Sequence, residues 1–324
     1  SHRVDISQYW EVSSIPPSEE SVGDAYEDKI RNLFHRSIEL NSRSDVPVGI
    51  FLSGGLDSTV VTSSYSQQTD QNIHTFTVDC VGKSVEEEVF AKLVADAYQT
   101  THHQYRLTSK QSIGELSELL GRIDEPMADS ASISSYYLST RASENVIKVI
   151  LCGAGGDELF GGYARHYRGR RDILAGKLSM IPTRWLQFLS QINEQILHYG
   201  SIAWDSGASF GLSTSGTNIG VLNSLISNRE LVLRGLDLVK AEFSILGQLE
   251  QARGFQYSRL LTDIKKYLPD NVLALMDKTT MAASVEARVP LLDHFLAENI
   301  FSVSSNRLLS NRFSEAKKTL KSTL

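Results

Sequence analysis

Four short apolar segments, separated by stretches of helical periodicity, restrict the fold of this chain more than any other feature. VPVGIFL (46–52), IHTFTV (73–78), HHQYRL (102–107) and KVILCG (148–153) each read as a strand. Around them apolar residues recur at helical spacing. Tyr26, Ile30, Leu33, Phe34 and Ile38 precede the first strand, and VEEEVFAKLVADAYQ (85–99) puts Val85, Val89, Leu93 and Ala97 on one face. Ile113, Leu116, Leu119, Leu120 and Ile123 follow the third strand, and a further helix is expected over 131–145. Helices between successive strands return the chain parallel, so the pattern predicts an α/β fold: a parallel, doubly wound sheet covered on both faces. Beyond about residue 165 strand signals stop, and LLTDIKKYLPDNVLALMDKTTMAASVEA reads as helices broken at Pro269. The second region is therefore expected to be mostly helical.

A chain of 324 residues has room for two such regions. Its 41% hydrophobic and 22% charged residues are those of an ordinary globular protein. The formal net charge of -6 disfavours a broad nucleic-acid surface. No apolar run approaches the roughly 18 residues of a membrane span, so neither nucleic acid nor membrane is expected as a partner. Cys80 and Cys152 are the only cysteines, too few for a disulfide scaffold or a cysteine zinc cluster. A reducing, cytoplasmic setting fits that usage.

The first strand runs into FLSGGLDSTVV (51–61), where Ser53 to Ser58 leave a strand and open a helix. Ligands of open parallel sheets bind beyond the carboxyl ends of strands. Gly54 and Gly55 permit close backbone approach to an anion, Ser53 and Ser58 carry hydroxyl donors, and the helix start adds free N–H groups. No GxxxxGK[ST] is present, and Asp57 points instead to magnesium shared between a carboxylate and phosphate oxygens. The bland alternative is a tight strand-to-helix turn with Asp57 as a first-turn charge. LCGAGGDELFGGY (151–163) repeats the design, with Asp157 and Glu158 after a strand and a glycine-rich turn. If the two strands are neighbours, Asp57 and Asp157 face each other and together hold magnesium against a pyrophosphate leaving group, which suggests nucleotidyl transfer.

SGGLDS (53–58), DEPMADSASI (124–133), LCGAGGDELFGGY and SVEARVPLLD (284–293), in that order, resemble the synthetase domain of the asparagine synthetase family, within the PP-loop ATP pyrophosphatases of adenine nucleotide alpha-hydrolase-like fold. The resemblance implies that ATP activates a carboxylate, aspartate in the family, as an acyl-adenylate, and that ammonia then displaces AMP. It assigns Ser53, Gly54, Gly55, Asp57 and Ser58 to pyrophosphate and Mg2+, with Asp157 as the second catalytic and metal-holding carboxylate. Leu52, Val78 and Gly153 are assigned to an adenosine pocket, largely through backbone. Cys152 is grouped with them as a cofactor-binding position, and is otherwise a small core residue rather than a nucleophile.

Two departures bear on the substrate and the ends. Asparagine synthetases often carry an acid within the SG[ED]G turn, where this chain has Ala154. This leaves two other readings open: a synthetase for another acid, such as a sugar uronate, and a non-catalytic nucleotide-binding scaffold. Family members continue beyond a stretch like AKKTLKSTL (316–324) into a segment whose lysine helps bind pyrophosphate. They also usually carry an N-terminal glutaminase that supplies ammonia, and DISQYWEV (5–12) resembles the junction after it. The expected organisation is a linker over 1–24, a PP-loop region over 25–165, a helical region over 166–324, and possible pairing as a homodimer.

The remaining features have structural as well as functional readings. His102 and His103 alternate across a strand and read as structural. Arg165, Arg168, Arg170 and Arg171 read as a solvated face, or as a site for an acidic group. Asp124, Glu125 and Asp129 stand between substrate contact and helix capping. Glu286, Arg288 and Asp293 are expected to form an ion-pair network. The Ser/Gly-rich stretch 204–220 reads as a long loop.

Overall fold

The computed structural model describes residues 5–18, 23–80, 85–125, 127, 129–167, 226, 228–242, 245–303 and 317–321. The chain divides into two compact units. One comprises Ser1–Phe160, Leu268–Val303 and Lys317–Leu324, the other Gly161–Tyr267 and Ser304–Ala316.

The first unit is built on a five-stranded parallel sheet of order β3-β2-β1-β4-β5. Helix α1 (Asp24–Ser42) precedes strand β1 (Val48–Phe51), and its buried Tyr26, Ile30, Phe34 and Ile38 form the expected stripe. Then follow α2 (Leu56–Ser66), β2 (His74–Cys80), α3 (Val85–Ala97), β3 (Thr101–Leu107), α4 (Ser109–Leu120), α5 (Ala131–Glu144), β4 (Val149–Leu151) and α6 (Gly156–Phe160). The sequence order β1, β2, β3 runs outward on one side, and the chain then returns to lay β4 on the other side of β1, pairing Val48 with Val149 and Ile50 with Leu151. That reversal makes β1 and β4 the switch point, where the loops beyond two neighbouring strands diverge and leave a crevice.

Each face of the sheet has its own packing. Phe76, Ile150 and Ile147 pack with Leu138 and Ala142 of α5, with Phe51, Val78 and Tyr105 against them. Leu52, pointing the other way from Phe51, packs with Ala91 and Ala95 of α3. Fully burying one such Leu, Ile or Phe side chain contributes about 1.5–3 kcal/mol.

Helix α3 buries a face other than the expected one. Val89 and Leu93 are 51% and 57% exposed, while Ala91 and Ala95 are at most 1% exposed. The helix backbone crosses so near the β1 loop that a side-chain carbon on Gly54 would lie 2.6 Å from the Ala91 nitrogen, so position 54 needs glycine.

The expected end of strand signals near residue 165 is corrected by β5 (Glu286–Arg288), which pairs parallel with β4 at the sheet edge. Three residues with two charges carry no strand periodicity. The expected break at Pro269 is corrected too: Pro269 lies inside a π-helical segment, Asp263–Leu273, that runs directly into α7 (Ala274–Ala282). The wider turn removes the contact between the proline ring and the carbonyl four residues back. Helix α8 (His294–Ser302) follows β5, and the short α9 (Lys318–Lys321) returns to this unit.

The N-terminal stretch lies against α8: Trp10 Nε1 donates to Glu298 Oε1 at 2.9 Å, and the Ser18 amide donates to the Ser302 carbonyl at 2.7 Å. In the second unit the described helices are Arg229–Glu242, Ile245–Arg253 and Phe255–Thr262, with Leu246, Tyr257, Leu260 and Leu261 buried. Residues 204–220 and Arg168, Arg170 and Arg171 lie outside the described residues. Among the described residues no helix is long and apolar enough to cross a membrane.

Candidate active site

The loop leaving β1 is held in shape by its own serines. Ser58 Oγ accepts from the Ser53 amide at 3.2 Å and donates to the Gly55 carbonyl at 3.1 Å. Ser53 Oγ lies 3.1 Å from Ser58 Oγ and accepts from the Gly55 amide at 3.3 Å. Gly54 has φ +78°, a conformation open to glycine. The N-cap of α2 is Gly55, which offers no side chain to the first-turn amides. Those amides, the helix dipole and the two hydroxyls are the groups with which helix starts can bind anions.

Because β4 lies beside β1, the glycine-rich turn beyond β4 packs on this loop. A side-chain carbon on Gly156 would stand 2.6 and 2.7 Å from the Asp57 carboxylate oxygens, and one on Gly153 would stand 2.8 Å from the Ser58 amide. Glycine at these positions is what lets the two turns close on each other. Asp57 and Asp157, from the first turns of α2 and α6, converge on one partner, the Lys317 amine, at 2.5 Å each. Lys317 precedes α9 and has φ +58°. This lysine lies within AKKTL and was not among the expected site residues; the pyrophosphate-binding lysine that the family resemblance implies beyond that stretch is a separate residue. The signal for Lys317 was the lysine pair itself, which no periodicity ties to residue 57.

Burial pushes the Asp57 carboxyl up to about 6, with repulsion from Asp157 adding to it and Lys317 pulling the other way. Burial alone would lower the Lys317 amine, but the two carboxylates outweigh it and hold the amine above its ordinary value. One ammonium against two carboxylates leaves a formal negative charge. Asp57 Oδ1 is also buried without a hydrogen-bond partner. An orphaned hard oxygen beside a second carboxylate fits Mg2+, which takes oxygen ligands and usually one or two carboxylates.

Beyond β1 and β2 a cavity of about 150 Å³ is lined by Leu52, Ser53 and Val78 together with Phe51, Phe76 and Leu138. Two of the expected adenosine-pocket residues, Leu52 and Val78, are thus brought together, next to the Ser53–Ser58 loop. Gly153 is not on this lining and sits under the Asp57–Ser58 backbone. Cys152 is 2% exposed, with Sγ 3.0 Å from Met276 Sδ, and burial pushes its thiol up to about 12. It stays a neutral core thiol. Asp79 also lines the cavity, at the end of β2.

The other charged motifs resolve into structural contacts. Asp124 and Glu125 pair with Lys278 at 2.9 and 2.6 Å. Asp129 accepts from the Ala131 amide at the start of α5, which is the capping alternative, and from Asn271 Nδ2. His103 stacks on Phe76 with ring centres 4.7 Å apart, and His102 Nδ1 lies 2.9 Å from Thr75 Oγ1. The expected Glu286–Arg288–Asp293 network is corrected: Glu286 and Arg288 pair at 2.8 Å, while Asp293 accepts from the Phe295 and Leu296 amides as the cap of α8. In the second unit Arg165 is not a solvated cation. It pairs with the buried Asp263 at 2.9 Å and lies over the rings of Tyr163 and Tyr267.

The asparagine synthase family profile matches residues 29–324. Asparagine synthetase [glutamine-hydrolyzing] 1 of Bacillus subtilis is 29% identical over 291 residues, 86% of this chain and 43% of that protein. A putative asparagine synthetase [glutamine-hydrolyzing] 2 of Methanocaldococcus jannaschii is 36% identical over 171 residues, 52% of this chain and 32% of that one. The chain thus spans less than half the length of these relatives. Among solved structures, a U34-tRNA thiolase from Methanococcus maripaludis aligns with TM-score 0.35 at 14% identity, covering 79% of this chain and 89% of that one. With two facing loops at the switch point of a parallel sheet, and a family match over nearly the whole sequence, the chain belongs to the asparagine synthase family.

Proposed function

We propose that this chain carries the synthetase half-reactions of an ATP-dependent amide-forming enzyme. ATP adenylates a carboxylic acid, aspartate in the first instance, and ammonia derived from glutamine attacks the acyl-adenylate. In the first step a substrate carboxylate oxygen attacks the α-phosphorus and the bond to pyrophosphate breaks. In the second, ammonia attacks the acyl carbon, the bond to AMP breaks, and the nitrogen loses a proton. The observation that carries this reading is the convergence of Asp57, Asp157 and Lys317 above the Ser53–Ser58 loop.

In that reading the loop amides and serine hydroxyls bind the β- and γ-phosphates, and the Lys317 ammonium takes up charge as it develops on pyrophosphate. Asp57 and Asp157 would hold Mg2+, which when bound neutralises phosphate charge. Leu52 and Val78 hold the nucleoside, and Gly156 keeps the two turns close enough for both carboxylates to serve one ligand.

Ala154 favours a second reading, in which the acid is not aspartate. An acidic residue in that turn would be placed to orient the adenylate or take the proton from ammonia, and a methyl group does neither. A uronate-type acid is the alternative substrate. The test is to incubate the full-length native protein with ATP, magnesium and ammonium, with aspartate or with other acids. AMP and pyrophosphate should appear only when the right acid is present. Absence of both products with every acid tried would sink the proposal, and release with a uronate but not aspartate would select the second reading.

A further inference from the structure

The Lys317 ammonium holds two oxygens that a metal ion would need. It pairs with Asp57 Oδ2 and Asp157 Oδ1 at 2.5 Å each. Mg2+ binds carboxylate oxygens at about 2.0–2.1 Å, so a Mg2+ shared by the same two atoms would stand beside the ammonium. Like charges that close repel strongly where water is scarce. Water is scarce here, with the side chains of Lys317 and Asp57 only 13% and 17% exposed. The two carboxylates therefore serve the ammonium or the metal, and not both together.

The residues after Lys317 place it there. Helix α9 (Lys318–Lys321) lies against α2 and α6, the helices whose first turns carry Asp57 and Asp157. Its Leu320 is buried and anchors the segment. Next to that anchor the Lys317 backbone has φ +58°, a conformation costly for a residue with a long side chain. Such a backbone persists only while its surroundings hold it, which here means the Leu320 anchor and the two ion pairs. Losing the ion pairs removes one of these holds. Asp57 Oδ1, in contrast, is buried with no hydrogen-bond partner among the described residues, and it offers an arriving cation an oxygen that the lysine does not occupy.

We propose that Lys317–Lys321 is a metal-displaced strap. Lys317 closes the site by bridging Asp57 and Asp157, and Mg2+ takes these oxygens by driving the ammonium off them. The released ammonium is then free to meet phosphate oxygens. The inference rests on the reading that the two carboxylates hold Mg2+, and goes beyond it by making lysine and metal competitors for the same atoms. Leu320 acts as a positioning residue that keeps the lysine within reach.

The test uses Mg2+ alone and the full-length protein, with titration calorimetry and amine acetylation read by mass spectrometry. Lys317→Met should bind Mg2+ about tenfold or more tightly than the unaltered protein, because the competing charge is gone. In the unaltered protein, acetylation of Lys317 should rise severalfold at saturating Mg2+, while the exposed Lys321 serves as an internal reference. The acetylation measurement needs no variant, so it decides the matter even if Lys317→Met misfolds. Equal Mg2+ affinity in the two proteins, or Lys317 acetylation that Mg2+ leaves unchanged, would overturn the competition and leave the metal-holding reading standing. Failure of both proteins to bind Mg2+ would overturn the two together.

Discussion

Lys317 Nζ stands 2.5 Å from Asp57 Oδ2 across 260 residues of chain, and the same amine is 2.5 Å from Asp157 Oδ1. The lysine is the only counter-charge these carboxylates have in the described contacts, with 13% of its side chain exposed. Its partial burial puts the cost of losing it between that of a surface pair and that of a fully buried one. Lys317→Met is expected to destabilise the protein by about 2 kcal/mol in denaturant unfolding. If the proposed chemistry holds, it should also reduce acid-dependent pyrophosphate release by about 100-fold or more. A double-mutant cycle with Asp157→Asn should be clearly non-additive, since each change removes the same contact. Additive effects would mean that the pair does not form in solution.

The Asp57 carboxyl gives a pH dependence of definite sign. Burial raises it in the folded protein from 3.8 to about 6, so the folded state holds this proton more tightly than the unfolded chain does. Between those values the folded state binds more protons, and stability falls as pH rises. The contribution is present below about pH 4 and lost by about pH 6, a change of about 1–3 kcal/mol. Comparing Asp57→Asn with the unaltered protein in urea across this range isolates it, because the asparagine cannot titrate. Magnesium-dependent nucleotide binding should run the opposite way, weakening as pH drops below about 6 and the carboxylate takes up its proton. Parallel stability curves for the two proteins would contradict the assignment.

Much of the fold was legible because its signals are local. The first four strands, the α1 stripe from Tyr26 to Ile38, and the turns at Ser53–Ser58 and Gly153–Asp157 are each written in a few neighbouring residues. What was not legible depends on partners far away in sequence. Glu286–Arg288 becomes a strand because β4 offers an open edge, and its own residues do not announce it. Pro269 sits inside a helix because that helix has π register, a property of hydrogen bonding rather than composition. That β1 and β4 are neighbours, on which the meeting of Asp57 and Asp157 depends, follows from the crossover after β3. Lys317 arrives from the last described stretch of the chain, and one of two adjacent lysines gives no reason to choose it.

Helix α3 offers a direct test of packing against periodicity. Its larger apolar residues, Val89 and Leu93, are more than half exposed, while Ala91 and Ala95 face the core and Ala91 lies against the Gly54 turn. Leu93→Gln should therefore change stability by less than about 0.5 kcal/mol. Ala91→Leu should cost about 1–3 kcal/mol, because there is no room for three more carbons beneath the helix. If the proposed function holds, it should also weaken nucleotide binding, since the helix would push on the Gly54 turn. Thermal unfolding of the two variants reads the difference. A large loss in Leu93→Gln with a tolerated Ala91→Leu would show that the helix buries the face its periodicity advertises.

In the second unit the buried Asp263 is the acceptor shared by His166 Nε2 at 2.6 Å and Arg165 Nη2 at 2.9 Å, and both Asp263 and His166 are fully buried. The Arg165 guanidinium is 3.9 Å from the Tyr163 ring centre and 4.4 Å from that of Tyr267, so its position is also fixed by stacking. Removing the carboxylate breaks an ion pair whose acid is fully buried, a loss of about 3–5 kcal/mol for a buried pair. Asp263→Asn keeps the shape and one acceptor oxygen, so its cost should fall at the low end, and Asp263→Ala at the high end. The stacking on the two tyrosines is worth about 1 kcal/mol and does not replace the lost charge. Arg165→Met with Asp263→Leu removes both charges of the Arg165–Asp263 pair and should recover part of the loss, the remainder reflecting the acceptor that the buried His166 Nε2 loses. Chemical denaturation of the three proteins decides between them. A double variant no more stable than Asp263→Ala would show that the network's value lies in its hydrogen bonds rather than in balancing a buried charge.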